Sequence, residues 1–395
     1  MTTPTRTVLR TPGAALQAVS GLVGQLTQGA AAIAIVLVVR EHTGSVALAG
    51  VVAGTLAIGA GVARPIQGRL MDRHGLATLN AVCGVVHPAA LIAIVGVSAA
   101  DGPHALLIVL GVVAGLALPS ISTAMRVAWG EAAGDDDRTA AYSMVYLTQE
   151  LSLLTAPLIF ATLTATSSAS TGLIVVAVLS GVGTLAFAAS VRSVHIPQVA
   201  SRSRDGRAKV IRTRGIAPVL AAAGAIGAVI GGIEVGVPTL ATAHHKPAAA
   251  GILIAMLSIG GIVGAAAYGS RQWTADPAAR LLSLTSAMTA CAAVMVATEG
   301  LVVLGLVLLI AGVALNPALT TLTLLLDGLT EERTAAEAFG WLSTGISAGT
   351  GAAAAIAGVL VQHGGTARPA FAVAAVAAVG ATLLALVLRR PVLRR

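Results

Sequence analysis

The chain has 395 residues, of which 56% are hydrophobic and only 10% charged, and its mean hydropathy is +0.90. A soluble domain carries about 25% charged residues, so that class is excluded, and long apolar runs throughout predict membrane helices rather than the alternating strands of a barrel. The two cysteines, Cys83 and Cys291, both fall inside apolar runs and predict no disulfide framework.

In chain order, Met1 to Thr11 carries Arg6 and Arg10. The apolar stretch behind it is too long for a signal-peptide core and lacks a cleavage site, so it reads as a retained first helix. Twelve spans follow, at about residues 13–39, 45–66, 76–99, 104–128, 139–164, 171–191, 216–242, 248–269, 279–299, 302–326, 335–361 and 367–388. The one long interruption, 192–215, is polar and basic. It separates an N-terminal six-helix bundle (1–191) from a C-terminal one (216–395) and reads as a juxtamembrane segment drawn to anionic lipid headgroups, not as a nucleic-acid patch. Of the 24 lysines and arginines, all but Arg40, Lys246 and Arg368 fall on the side of the N-terminus. The positive-inside rule then places both termini in the cytoplasm. The net charge of +8 follows from this topology and needs no acidic partner.

Between spans two and three lies Gly68-Arg69-Leu70-Met71-Asp72-Arg73-His74-Gly75, which reads as a short charged turn closing a tight helical hairpin. Between the halves there is an internal repeat. Gly115-Leu-Ala-Leu-Pro119 recurs as Gly312-Val-Ala-Leu-Asn-Pro317, and Arg138-Thr-Ala-Ala-Tyr142 as Arg333-Thr-Ala-Ala-Glu337. Each pair brackets an acidic loop between a fourth and a fifth span, which predicts a parallel repeat of six-helix units.

The Gly68–Gly75 run resembles the loop signature of the major facilitator superfamily, G-x-L-x-D-R-x-G-R-K. Gly68, Leu70, Asp72, Arg73 and Gly75 match, and Leu76 and Ala77 stand where two basic residues are expected. With the parallel repeat, the resemblance extends over the whole chain. It implies an all-α integral membrane fold of twelve helices in two six-helix bundles, working by alternating access, with spans one, four, seven and ten lining a central cavity. It also implies a conformational role for Gly68, Asp72, Arg73 and Gly75, with Asp72 pairing near Arg126, at the cytoplasmic ends of spans four and five. Two features of the drug/proton antiporters are missing: span four lacks a charge over Leu106–Leu118, and span five has Ser152, Ala156 and Pro157 where a G-x-x-x-G-P run is expected.

No phosphate-binding loop, H-E-x-x-H, paired-cysteine metal motif or nucleophile elbow occurs, so neither an ATP motor nor an enzyme is expected. Ionisable groups within a span are costly and mark candidate sites. Two acids qualify, Glu150 in span five and Glu234 in span seven. At about 100° per residue Tyr142, Tyr146, Gln149 and Glu150 share one side of span five, with rings able to stack on a flat ligand. Glu234 shares its side with Gly227, Gly231 and Pro238, which are expected to thin and loosen the helix. Span one carries Gln17, Gly21, Gly24 and Gln28 on one stripe, and span ten carries Asn316, Thr320, Thr323 and Asp327. Hydrogen bonding between helices is the alternative role for these amides and hydroxyls. His87, before Pro88, reads as a buried structural histidine.

The expected function is proton-coupled export (antiport) of small amphipathic compounds, cationic ones among them. The argument is buried acids in an apolar cavity with no buried base to hold an anion. Glu150 is the first proton or substrate site, Glu234 the second, and the stripes holding Gln28, Asn316 and Thr320 complete the lining. The alternatives are uptake or facilitated exchange of a small polar metabolite, and a membrane sensor that does not transport. No cofactor or metal is expected beyond a proton gradient. The expected partners are a small-molecule substrate and the lipid bilayer, with no nucleic acid. The expected state is a monomer in the inner, cytoplasmic membrane.

Overall fold

In the computed structural model, which describes residues 13–134, 137–193, 213, 215–246, 249–331 and 334–389, every regular element is a helix. Twelve helical spans are long and apolar enough to cross a membrane. They are Ala14–Thr43, Ala47–His74, Leu76–Ala99, His104–Ala132, Arg138–Thr166, Ala169–Ser193, Ile216–Ala243, Ala249–Gly269, Pro277–Ala297, Leu301–Asp327, Ala335–Gly364 and Arg368–Leu388, called spans one to twelve below. Apolar side chains such as Ile58, Leu158, Ile252, Val302 and Val376 remain more than half exposed. In water this would be unfavourable, but it is the surface a lipid-facing helix presents. Most of the basic linker predicted over 192–215, and the chain ends, lie outside the described residues.

By internal contacts the described residues form two units. The first draws on Arg6–Ala133 and Thr148–Arg202, the second on Gly134–Leu147 and Ser203–Arg395. The same pairings recur within each. Span two packs on span four, three on six and one on six; in the second unit eight packs on ten, nine on twelve and seven on twelve. The repeated Gly–Pro motif is explained by the first of these pairings. A Cβ on Gly115 would run into the carbonyl of Leu56 in span two, and one on Gly312 into the carbonyl of Leu257 in span eight. Without a side chain the two backbones meet directly, which is how membrane helices gain van der Waals contact where no hydrophobic drive separates protein from lipid. The opening residues of span five, Arg138–Leu147, pack with the second unit.

The structure departs from the sequence reading in three places. The Gly68–Gly75 run is not a loop. Helix Val46–His74 continues through Asp72 and Arg73, and Gly75 alone, at φ 88°, separates it from helix Leu76–Ala99. A positive φ needs a glycine, and one such residue suffices for the hairpin. Span four is not one helix. It breaks into His104–Leu116 and Ile121–Ala132, with Ala117–Ser120 between them. Lastly, Gly227 and Gly231 do not loosen span seven; they seat it against the carbonyls of Ile346 and Thr350 in span eleven.

Candidate functional site

The break in span four, Ala117–Ser120, contains Pro119, which has no amide proton to donate. Two carbonyls lose their helical donors there, and Gln67 of span two, a buried residue, replaces them. Its Nε2 donates to the carbonyls of Leu116 at 2.8 Å and Leu118 at 3.1 Å, and its Oε1 accepts from the Ser120 hydroxyl at 2.6 Å. Because Ser120 is turned toward Gln67, it does not cap the helix that starts after it. The first-turn amides of Ile121, Ser122 and Thr123 have no acceptor among the described residues. A membrane offers no water to satisfy such groups, so irregular backbone at this depth is tolerated where it lines a cavity.

A cavity is present. Gln28 of span one, Ala60 and Arg64 of span two, and Leu118, Pro119, Ser120, Ser122 and Thr123 of span four line one pocket. Gln28, Arg64 and the break all lie near the middle of their spans. Arg64 lines this pocket and makes no hydrogen bond or ion pair among the described residues. Arg126, on the helix that starts at the pocket, is 2% exposed and among the largest fully buried side chains. Arg280, in the second unit, is 8% exposed. The expectation of no buried base is therefore wrong. Hydropathy averaged over a span conceals a single arginine, and both Arg126 and Arg280 stand close enough to span ends to be taken for interface residues.

The span-one stripe divides by contact. The Oε1 of Gln17 accepts from Trp129 Nε1 at 2.7 Å. Gly21 and Gly24 lie against Met125 and Ile121 of span four. Only Gln28 reaches the pocket. On span five, Gln149 and Glu150 are half-buried at mid-span, and the Gln149 Oε1 is buried with no hydrogen-bond partner. The two tyrosines belong to the second unit. Tyr142 stands edge-on to Phe339 with ring centroids 6.0 Å apart, and the Tyr146 hydroxyl lies 3.0 Å from Thr323 Oγ1. Span ten keeps Asn316, Thr320 and Thr323 fully buried, and Asp327 accepts from Arg138 at 2.9 Å. Glu234 is exposed on span seven and has no hydrogen bond or ion pair among the described residues. Asp72 is half-buried and Arg73 exposed. His87 is fully buried, its Nδ1 2.8 Å from the carbonyl of Ala114, as a structural histidine would be. No cluster of His, Cys, Asp and Glu among the described residues could hold a metal ion.

The second unit carries a polar relay that the sequence did not reveal. Arg280 donates to the Tyr268 hydroxyl at 2.9 Å, Tyr268 to Thr321 Oγ1 at 2.8 Å, and Thr321 to the carbonyl of Pro317 at 2.7 Å. Tyr268 and Trp273 also lie 5.5 Å and 5.7 Å from the Arg280 guanidinium, a cation–π arrangement. The relay ends on the carbonyl of Pro317 itself, inside helix Leu301–Asp327, which runs on unbroken.

Residues 18–340 match the family model for the Major Facilitator Superfamily. The chain belongs to the major facilitator superfamily. It is therefore a multi-pass membrane transporter and not an enzyme. No curated protein matches it. Among solved structures, this facilitator resembles a bacterial homologue of the iron transporter ferroportin in an outward-facing state. The TM-score is 0.77 at 14% identity, covering 95% of this chain and 98% of that one. The E. coli fucose:proton symporter FucP is similar at 0.75 and 13% identity, covering 96% and 98%. The human organic anion transporter MFSD10 (TETRAN) is similar at 0.71 and 14% identity, covering 98% and 100%. At such identities the likeness carries the fold and leaves the substrate open.

Proposed function

We propose that this facilitator exports small amphipathic compounds across the cell's inner membrane by proton antiport. The two halves would alternate access to a central site, with both termini in the cytoplasm and the proton gradient as the only cofactor. The supporting observation is Glu234, an exposed acid inside a span with nothing bound to its carboxylate among the described residues. An ionisable group within a span is costly to keep and marks a proton or substrate path. Such a group is suited to carrying a proton on one half-cycle and releasing it when its surroundings become wet. Glu150, half-buried at mid-span, is the second acid in a position to do so.

A cationic substrate no longer follows, because its argument was the absence of a buried base and Arg126 is buried. Exchange of a polar metabolite is the second reading, favoured by the Gln28, Ser120, Ser122 and Thr123 lining of the pocket.

Proteoliposomes holding purified wild type, Glu150→Gln or Glu234→Gln, each tested with phenyl phosphate, benzamide and benzyltrimethylammonium, separate these readings. Antiport predicts solute efflux with proton entry in wild type, and loss of the proton movement in at least one variant. Solute flux without proton movement, the same in all three proteins, supports exchange instead.

A further inference from the structure

Arg280 is a buried arginine that meets no carboxylate. It lies in the first turn of helix Pro277–Ala297 and is 8% exposed. Its Nη1 donates to the Tyr268 hydroxyl at 2.9 Å, and its Nε is buried with no hydrogen-bond partner. No ion pair joins it to Asp276, one turn back, or to any other acid among the described residues. The guanidinium lies instead 5.5 Å from the Tyr268 ring and 5.7 Å from that of Trp273. Ring faces attract a cation but do not cancel its charge. A buried charge is costly until an opposite charge meets it.

This charge is held at a membrane face. Residues 270–276 join span eight to span nine there, and they carry a second arginine, the exposed Arg271. Trp273 is 38% exposed, and its ring lies 4.6 Å from that of Tyr268. Its Nε1 donates to the Tyr268 carbonyl at 2.9 Å, which fixes the connection against span eight. Tryptophan favours the level of the lipid headgroups, where an apolar ring meets the polar boundary. All these residues belong to the second unit. The one acid of the connection, Asp276, is half-buried. At this depth a membrane offers one abundant negative group, the lipid phosphate.

We propose that the connection between spans eight and nine binds the phosphate of an anionic phospholipid, with Arg280 and Arg271 as its charge contacts and Trp273 against the lipid beneath the headgroup. A guanidinium matches a phosphate in shape as well as in charge. The proposed orientation puts this face in the cytoplasmic leaflet, the one that carries anionic lipid. Binding stands apart from transport and does not depend on what the protein carries.

The test is fluorescence quenching of Trp273 in the full chain, in an uncharged detergent, by phosphatidylglycerol or phosphatidylcholine with brominated acyl chains. Trp273→Phe, at an exposed position, supplies the signal of the other tryptophans for subtraction. At about 1 kcal/mol for each basic residue at an anionic surface, two arginines correspond to a preference of about 30-fold for phosphatidylglycerol. Arg280→Gln and Arg271→Gln should each lower that preference about fivefold. Arg271→Gln changes an exposed side chain and serves if Arg280→Gln does not fold. Equal quenching by the two lipids in wild type overturns the site, as does a preference for phosphatidylglycerol that is unchanged in every variant that folds. A Trp273 response to inorganic phosphate alone, at the lipid's own affinity, overturns the lipid assignment and marks a site for soluble anions.

Discussion

Gln67 shows how one side chain can determine the shape of a membrane helix. It replaces the donors that the break takes from Leu116 and Leu118, and it is buried. Gln67→Ala would leave two carbonyls unpaired at mid-membrane, a cost of about 2 kcal/mol or more. The expected outcome is a lower unfolding temperature in detergent, with Gln67→Met, of similar size, unable to rescue it because a thioether has no proton to donate. An unchanged temperature would mean that the break is held by other groups. At this scale the sequence was partly legible. Helical periodicity placed Gln17, Gly21, Gly24 and Gln28 on one stripe, and such a stripe exists. Periodicity does not show what covers a stripe. Trp129 lies over Gln17, Ile121 over Gly24, and only Gln28 is left to the pocket. Arg64 and Arg126 were counted toward topology, where two arginines in a tally of 24 carry no sign that one lines a pocket and the other is buried.

Among the helices, the repeat read from the sequence has a physical cause. Gly115 and Gly312 are the points where span four meets span two and span ten meets span eight through backbone atoms. Gly115→Val should force those helices apart, at about 1–3 kcal/mol for overpacking a close contact. Thermal unfolding in detergent would show the loss, and Gly61→Val, at a glycine with open space around its Cβ, should leave stability nearly unchanged. What the repeat could not show is that its two prolines act differently. Pro119 ends a helix and Pro317 sits inside one. In the first unit Gln67 of the neighbouring span bonds the carbonyls that the break frees, a contact between residues far apart in the chain. The charged turn at Gly68–Gly75 was located correctly, but its conformation was not. Leu70, Met71 and Asp72 are all compatible with a helix, and only Gly75 adopts a positive φ. The Arg138–Asp327 pair, with side chains 37% and 20% exposed, is partly screened. A double-mutant cycle of Arg138→Gln and Asp327→Asn should return a coupling of about 1 kcal/mol or less. A much larger coupling would show that the pair is shielded from water in the membrane.

For the whole molecule, composition and hydropathy decided the class and the count of twelve spans, while the Gly68–Gly75 signature and the parallel repeat carried the family. Composition and hydropathy are averages over many residues, and the helices observed agree with them. What the transporter carries depends on a few polar groups, and there the averages misled, since a basic pocket in the first unit went unseen behind the apolar character of spans two and four. The proposed antiport gives the proton to the acids on spans five and seven, Glu150 and Glu234. Its most direct test is the pH change inside proteoliposomes during efflux of whichever of phenyl phosphate, benzamide and benzyltrimethylammonium the wild type carries, beside Glu150→Gln and Glu234→Gln. Antiport predicts acidification of the interior that scales with efflux and disappears in at least one variant that still folds. Efflux with no interior pH change in wild type, or the same acidification in both variants, would contradict it.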